Sequence, residues 1–133
     1  MLASPKLILV ADDSEIVRKL IKDHLLQVRG DFKVGEAANG AEAIEKAKSL
    51  PPDLILLDLA MPEMNGVQAA STLKSIMPEV PIILFTIYNG DSVKSLAATA
   101  GIDLVLSKPD GMKPLIEAID TLLGTKPDSA LPQ

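Results

Sequence analysis

The chain has 133 residues, a formal net charge of -5 and no cysteine. That length suits one domain with a short remainder, the negative charge argues against nucleic-acid binding by this domain alone, and the lack of thiols excludes disulfides, thiolate metal sites and a cysteine nucleophile. Hydrophobic residues make up 47%, yet the aromatics are one tyrosine and two phenylalanines, so the core must be aliphatic.

The N-terminus carries no basic segment followed by an apolar one, and no run approaches the roughly 18 apolar residues of a membrane span; a cytoplasmic protein is expected. Residues 6–11 read as a first strand. Ser14 can cap a helix with Val17, Leu20, Ile21, Leu25 and Val28 on one face, ended by Gly30. The only histidine, His24, falls at the boundary of that face. Phe32 to Ala37 is a weaker second strand. Asn39 can cap a second helix that turns Ala43, Ile44, Ala47 and Leu50 inward and stops at Pro51-Pro52. Leu54 to Asp58 is a third strand, continuously apolar before the aspartate, as strands covered on both faces are. A loop carries Met61 to Gly66, and a third helix buries Val67, Ala70, Leu73 and Met77. The fourth strand is residues 82–86. The fourth helix presents Val93, Leu96, Ala97 and Ala100 and closes at Gly101. The fifth strand is residues 104–107. The last helix runs from about Pro114 to Leu123 with Leu115, Ile119 and Leu122 inward. Residues 1–123 thus form the domain, and residues 124–133 have the composition of a flexible tail or the start of a linker.

Five strands alternating with five helices mean an α/β protein: a parallel sheet with helices on both faces and right-handed crossovers. The expected strand order is 2-1-3-4-5, a flavodoxin-like arrangement whose switch point lies between strands one and three. Those two strands carry Asp12, Asp13 and Asp58, and Thr86 and Lys108 end strands four and five. Strand C-termini share one edge, so the sequence gathers three carboxylates, a hydroxyl and an ammonium at one place. Carboxylates so close repel one another and raise at least one pKa. A hard divalent cation resolves this with oxygen ligands, and Mg²⁺ suits a small carboxylate set that leaves positions open. Asp13 and Asp58 are the expected direct ligands, Asp12 acts directly or through water, and the backbone carbonyl of Ala60 can complete the set. A carboxylate beside such a cation can also attack a phosphoryl group. Asp58 is the expected acceptor, with Lys108 and Thr86 as sensors of the product.

With these residues in this order, the chain resembles the receiver domain of two-component response regulators, the family of the chemotaxis-type receivers. The resemblance rests on Asp12-Asp13, on Asp58 to Gly66 (Asp-Leu-Ala-Met-Pro-Glu-Met-Asn-Gly), on Thr86, on Ala100-Gly101 and on Lys108-Pro109, and covers roughly residues 6–123. It implies phosphotransfer to Asp58 from a sensor histidine kinase or phosphotransfer protein, Mg²⁺ dependence, and a rearranged face made by the fourth helix, fifth strand and fifth helix. That face acts on a downstream protein or an appended output domain, or pairs two copies. The resemblance also implies a cis Lys108–Pro109 bond. The chain departs from the family where a rotating aromatic ring is common: Val105 stands there. Ile87 replaces a commonly small residue after Thr86, Tyr88 is expected to cover the phosphorylation site and slow the attack of water, and Asp110 makes the output face more polar.

Three other readings compete with this one. A phosphatase with an aspartyl nucleophile wants its nucleophile and acid one residue apart and a cap domain, whereas Asp12 and Asp13 are adjacent and the chain has no room for a cap. A nucleotide or flavin binder wants a Gly-rich turn after the first strand, where this chain has Asp-Asp-Ser-Glu. A degenerate receiver that binds partners without phosphorylation is disfavoured by the full acidic set, while Val105 and Ile87 leave it open.

Overall fold

Two segments, Leu7–Ala11 and Leu54–Leu57, are apolar at every position, and such strands need cover on both faces. The computed structural model describes residues 5–88 and 90–125. Within them β1 (Leu7–Ala11), β2 (Lys33–Ala37), β3 (Leu54–Leu57), β4 (Ile82–Thr86) and β5 (Leu104–Ser107) form one parallel sheet of order β2-β1-β3-β4-β5. Helices α1 (Glu15–Val28), α2 (Gly40–Ser49), α3 (Gly66–Ile76), α4 (Asp91–Thr99) and α5 (Met112–Leu123) connect and follow the strands. Successive strand residues point to opposite faces, and the two cores follow that alternation. Leu9, Ala11, Ile55, Leu57, Ile82 and Leu84 pack against α2, α3 and α4. Ile8, Val10, Leu54, Leu56, Ile83 and Phe85 pack against α1 and α5. Buried alanines at 43, 47, 69 and 70 face the first of these cores. A buried ion pair between Arg29, just past α1, and Asp120 of α5 ties the two helices of the other face together.

The expected strand order and all ten elements are present. Four details differ. Leu20, Val28, Leu50, Leu96 and Leu122 are exposed rather than inward. In α1 the line Val17, Ile21, Leu25 already covers the sheet; Leu20 lies about 100° round the helix from Ile21. Leu50 and Val28 sit at or beyond helix ends, where the sheet no longer lies beneath. Helix α5 starts at Met112 rather than near Pro114 and buries Ile116 as well. Helix α3 takes Asn65 from the loop as its cap: the Asn65 side chain accepts from the Gln68 N–H, and the Gln68 side chain accepts from the Asn65 N–H. The Lys108–Pro109 bond is trans, and no peptide bond of the described residues is cis. Residues Lys108–Asp110 form a 3-10 turn, whose φ the proline ring supplies with an ordinary trans bond before it. Of the expected tail, Gly124 ends α5 in the left-handed region with φ 71° and Thr125 bonds to Asp120; residues 126–133 lie outside the described residues, and no helix among the described ones is long and apolar enough to cross a membrane.

The register aligns the strand ends. Ala11 pairs with both Ala37 and Leu57, and Thr86 with Ser107. The ladder then continues one bond further at each acidic residue: the Asp12 N–H donates to the Ala37 carbonyl at 3.0 Å, and the Asp58 N–H to the Ala11 carbonyl at 2.9 Å. Gly66 sits against this edge. A Cβ there would lie 2.3 Å from the Asp58 carbonyl oxygen and 2.9 Å from Leu84 Cδ1. Gly66→Ala therefore has to push α3 off the sheet; we expect a loss of about 3 kcal/mol, read from the urea midpoint. An unchanged midpoint would mean that α3 yields without cost.

Candidate functional site

Each side chain of the cluster is aimed by the backbone just past a strand end. Asp12 is 2% exposed and Asp58 7%, whereas Asp13 is open to solvent. One carboxylate oxygen from each of Asp12, Asp13 and Asp58 lies within 4.8 Å of the others. The Asp12 carboxylate is held from two sides: Oδ1 accepts from the Ser14 N–H at 2.9 Å and Oδ2 accepts from Lys108 Nζ at 2.7 Å. Ser14 thus holds two roles, since its own hydroxyl accepts from the Val17 N–H and caps α1. Lys108 Nζ also lies 3.3 Å from Asp58 Oδ1, so one ammonium is shared by two buried carboxylates.

The energetics of this arrangement are uneven. Burial, then the neighbouring charge of Asp12, push the Asp58 carboxyl above its ordinary value; Lys108 works against them, and Asp13 adds to the rise. For Lys108, burial disfavours the ammonium, but the hydrogen bond to Asp12 and the charges of Asp58 and Asp12 outweigh it, so its pKa rises and it stays protonated. Three carboxylates against one ammonium leave the cluster under-neutralised, and the donor set is hard oxygen with an open side at Asp13. That chemistry fits a small divalent cation. Ala60 is exposed in the loop after β3, beside the cluster in sequence.

Thr86 is fully buried at the end of β4, and its Oγ1 accepts from the Tyr88 N–H at 3.2 Å. It stands beside Ser107, the buried residue before Lys108. Ile87 and Tyr88 are exposed. Val105 is half-buried and packs on the α2–α4 core, while Pro109 and Asp110 are exposed. Asp12, Asp13, Asp58 and Lys108 therefore come together as expected, with Thr86 on the same sheet edge; Ile87 and Tyr88 follow Thr86, Pro109 follows Lys108, and Val105 lies within β5. His24 is a boundary residue, as its sequence position implies.

Two residues of this neighbourhood carry no signal in the sequence. Arg18 Nη1 donates to the Asp12 carbonyl at 2.6 Å, and Arg18 Nε donates to Glu36 Oε1 at 3.0 Å. Glu36 is brought to Arg18 by the β1–β2 pairing rather than by local spacing.

This fold with this edge is that of a signalling receiver. The response regulator receiver domain family matches residues 8–120, and the chain belongs to it. It is 38% identical over 112 residues to the response regulator protein VraR of Staphylococcus aureus, a match that covers 84% of this chain and 54% of that one. The chain thus spans about half the length of the curated relatives it matches. Among solved structures it is similar to a CheY-like response regulator receiver domain protein from Methanospirillum hungatei, with a TM-score of 0.84, 27% identity and coverage of 91% and 95% of the two chains. It is also similar to the response regulator domain of Thermotoga maritima CheB, with a TM-score of 0.80, 31% identity and coverage of 92% and 99%.

The repulsion in the cluster gives a testable stability effect. Folding raises the pKa of Asp58 above its unfolded value, so protonation favours the folded state and the destabilising contribution is fully present above the folded pKa. Asp58→Asn is expected to raise the melting temperature of the metal-free protein near neutral pH, with the gain shrinking as pH falls toward the ordinary carboxylate range. A melting temperature unchanged or lowered at neutral pH would show that the cluster is not strained.

Proposed function

We propose that the chain is a phosphorylation-dependent signalling switch that accepts a phosphoryl group on Asp58 from a sensor histidine kinase or phosphotransfer protein. The reading is carried by one observation: a buried aspartate at the switch point of a receiver fold, sharing a lysine with a second buried aspartate. Asp13 and Asp58, with the Ala60 carbonyl, would hold Mg²⁺, and Asp12 would do so directly or through water. When bound, the cation supplies positive charge to the carboxylates and to the oxygens of the transferring phosphoryl group.

An Asp58 carboxylate oxygen attacks phosphorus. A P–O bond forms as the P–N bond of the phosphohistidine donor breaks, and the electron pair leaves with the imidazole, which takes a proton from solvent. Lys108 exchanges its Asp58 partner for a phosphoryl oxygen, a charge-assisted bond to a group carrying about -1.5 to -2 charges. The Thr86 hydroxyl accepts from the Tyr88 N–H and keeps its own proton to donate to the phosphoryl group. Rotation of Thr86 toward that group draws on the Thr86–Tyr88 bond, so the segment Ile87–Tyr88 moves with it. This route to the face of α4, β5 and α5 needs no ring at Val105. Tyr88 also covers the acyl phosphate and slows its hydrolysis. The chemistry is self-directed transfer and hydrolysis, with no separate small-molecule turnover.

The domain ends at Leu123, and residues 124–133 serve as tail or linker. The length of the VraR-type relatives favours a regulator with an appended output domain, DNA-binding among the options, over a receiver that acts alone; a cytoplasmic location belongs to the same reading. Two copies can pair through α4, β5 and α5.

Incubation with acetyl phosphate and Mg²⁺, followed by intact-mass measurement, is expected to show one phosphoryl adduct on the native chain and none on Asp58→Asn. No adduct under conditions that label a control receiver overturns the reading, and an adduct that persists in Asp58→Asn moves the acceptor elsewhere. In the same assay the adduct on Tyr88→Ala is expected to decay faster; an equal lifetime removes the covering role of Tyr88.

A further inference from the structure

Asp13 is the exposed member of the acidic cluster, and no side-chain hydrogen bond or ion pair of the described residues includes it. Its aim depends on its backbone. The peptide unit that precedes it contains the Asp12 carbonyl, and this carbonyl lies past the end of β1: the Asp12 N–H still joins the ladder through Ala37, while the carbonyl takes its partner from a side chain, Arg18 Nη1, at 2.6 Å. The guanidinium is itself fixed. Its Nε donates to Glu36 Oε1 at 3.0 Å, Lys22 lies 3.6 Å from the other Glu36 oxygen, and the Arg18 side chain is only 14% exposed. Glu36 belongs to β2 and pairs with Val10 of β1. The fork of Arg18 therefore joins the first turn of α1, the neighbouring strand and the Asp12–Asp13 peptide plane.

We propose that Arg18, anchored by Glu36, is a positioning residue that sets the orientation of Asp13 for binding the divalent cation. The inference rests on the proposed function above. Outer groups that orient metal ligands commonly change affinity by about 10–100-fold when lost. A planar fork that reaches the Asp12 carbonyl and the Glu36 carboxylate from two separate nitrogens suits arginine better than lysine, whose donors all sit on one terminal nitrogen.

Charge and positioning make opposite predictions here. Arg18 is a cation beside a cation site, so removing its charge alone tightens Mg²⁺ binding. Removing its hold on the peptide plane weakens it. The test is calorimetric titration of Mg²⁺ into the native chain, Arg18→Gln and Arg18→Lys, together with the Mg²⁺ dependence of labelling by acetyl phosphate. Arg18→Gln is expected to weaken Mg²⁺ binding about tenfold and to raise the Mg²⁺ concentration for half-maximal labelling by the same factor. The labelling rate at saturating Mg²⁺ stays within about twofold, because Asp58 and Lys108 are intact. Arg18→Lys, which keeps the charge and guards against a Gln variant that fails to fold, is expected to weaken binding about threefold. Unchanged or tighter binding in Arg18→Gln, or unchanged binding in Arg18→Lys, overturns the positioning role while leaving the receiver reading in place. A native chain that neither binds Mg²⁺ nor is labelled overturns both.

Discussion

Asp12 and Asp58 are buried side by side, Asp13 adds a third carboxylate at the surface, and Lys108 is the ammonium shared between the two buried ones. Much of the rest of the structure bears on this imbalance. Charged groups withdrawn from water persist only when paired and hydrogen-bonded, and Asp12 satisfies that rule with Ser14 and Lys108 while Asp58 satisfies it only in part. The result is a site whose resting state is incompletely neutralised, with Asp58 driven toward its protonated form by burial and by its neighbours. The counter-charge the site lacks is positive, and a small divalent cation would supply it.

The sheet holds the cluster in place through register rather than through contacts within the cluster. Ala11, Ala37 and Leu57 are paired across three strands, so Asp12 and Asp58 leave the ladder at the same level. Gly66 permits α3 to start against the Asp58 carbonyl, where a methyl group has no room. Lys108 reaches the site from the far strand through a 3-10 turn built on a trans proline bond. On the output side the chain carries Val105, half-buried in an aliphatic core, where an aromatic ring is common in the family. The Thr86–Tyr88 hydrogen bond and the exposed pair Ile87 and Tyr88 offer a different connection between the site and the surface.

The strand order and the meeting of Asp12, Asp13, Asp58 and Lys108 were legible because each depends on strong local signals. Continuous apolar runs mark buried strands, and polar residues that end such runs mark the ligand edge of a parallel sheet. Helical spacing alone draws the buried faces too broadly: Leu20, Leu50, Leu96 and Leu122 suit it, yet a helix lying on a sheet buries a narrower stripe, and its last turn can overhang. The Asn65–Gln68 capping box is readable from its spacing, although a loop reading of Met61 to Gly66 passes over it. The trans Lys108–Pro109 bond lies inside the 3-10 turn Lys108–Asp110, which no local sequence signal announces. Arg18 and Glu36 were illegible for a deeper reason. Their pairing is a property of β1 lying beside β2, and one arginine in an amphipathic helix reads as an ordinary solvated side chain.

Burial and neighbouring charge hold Asp58 above its ordinary pKa, and a divalent cation bound as proposed would relieve this. Carboxyl ¹³C NMR of Asp58 through a pH titration, with and without saturating Mg²⁺, reads it directly. The midpoint is expected above the ordinary aspartate range without the cation and lower with it. An ordinary midpoint that ignores Mg²⁺ would contradict it.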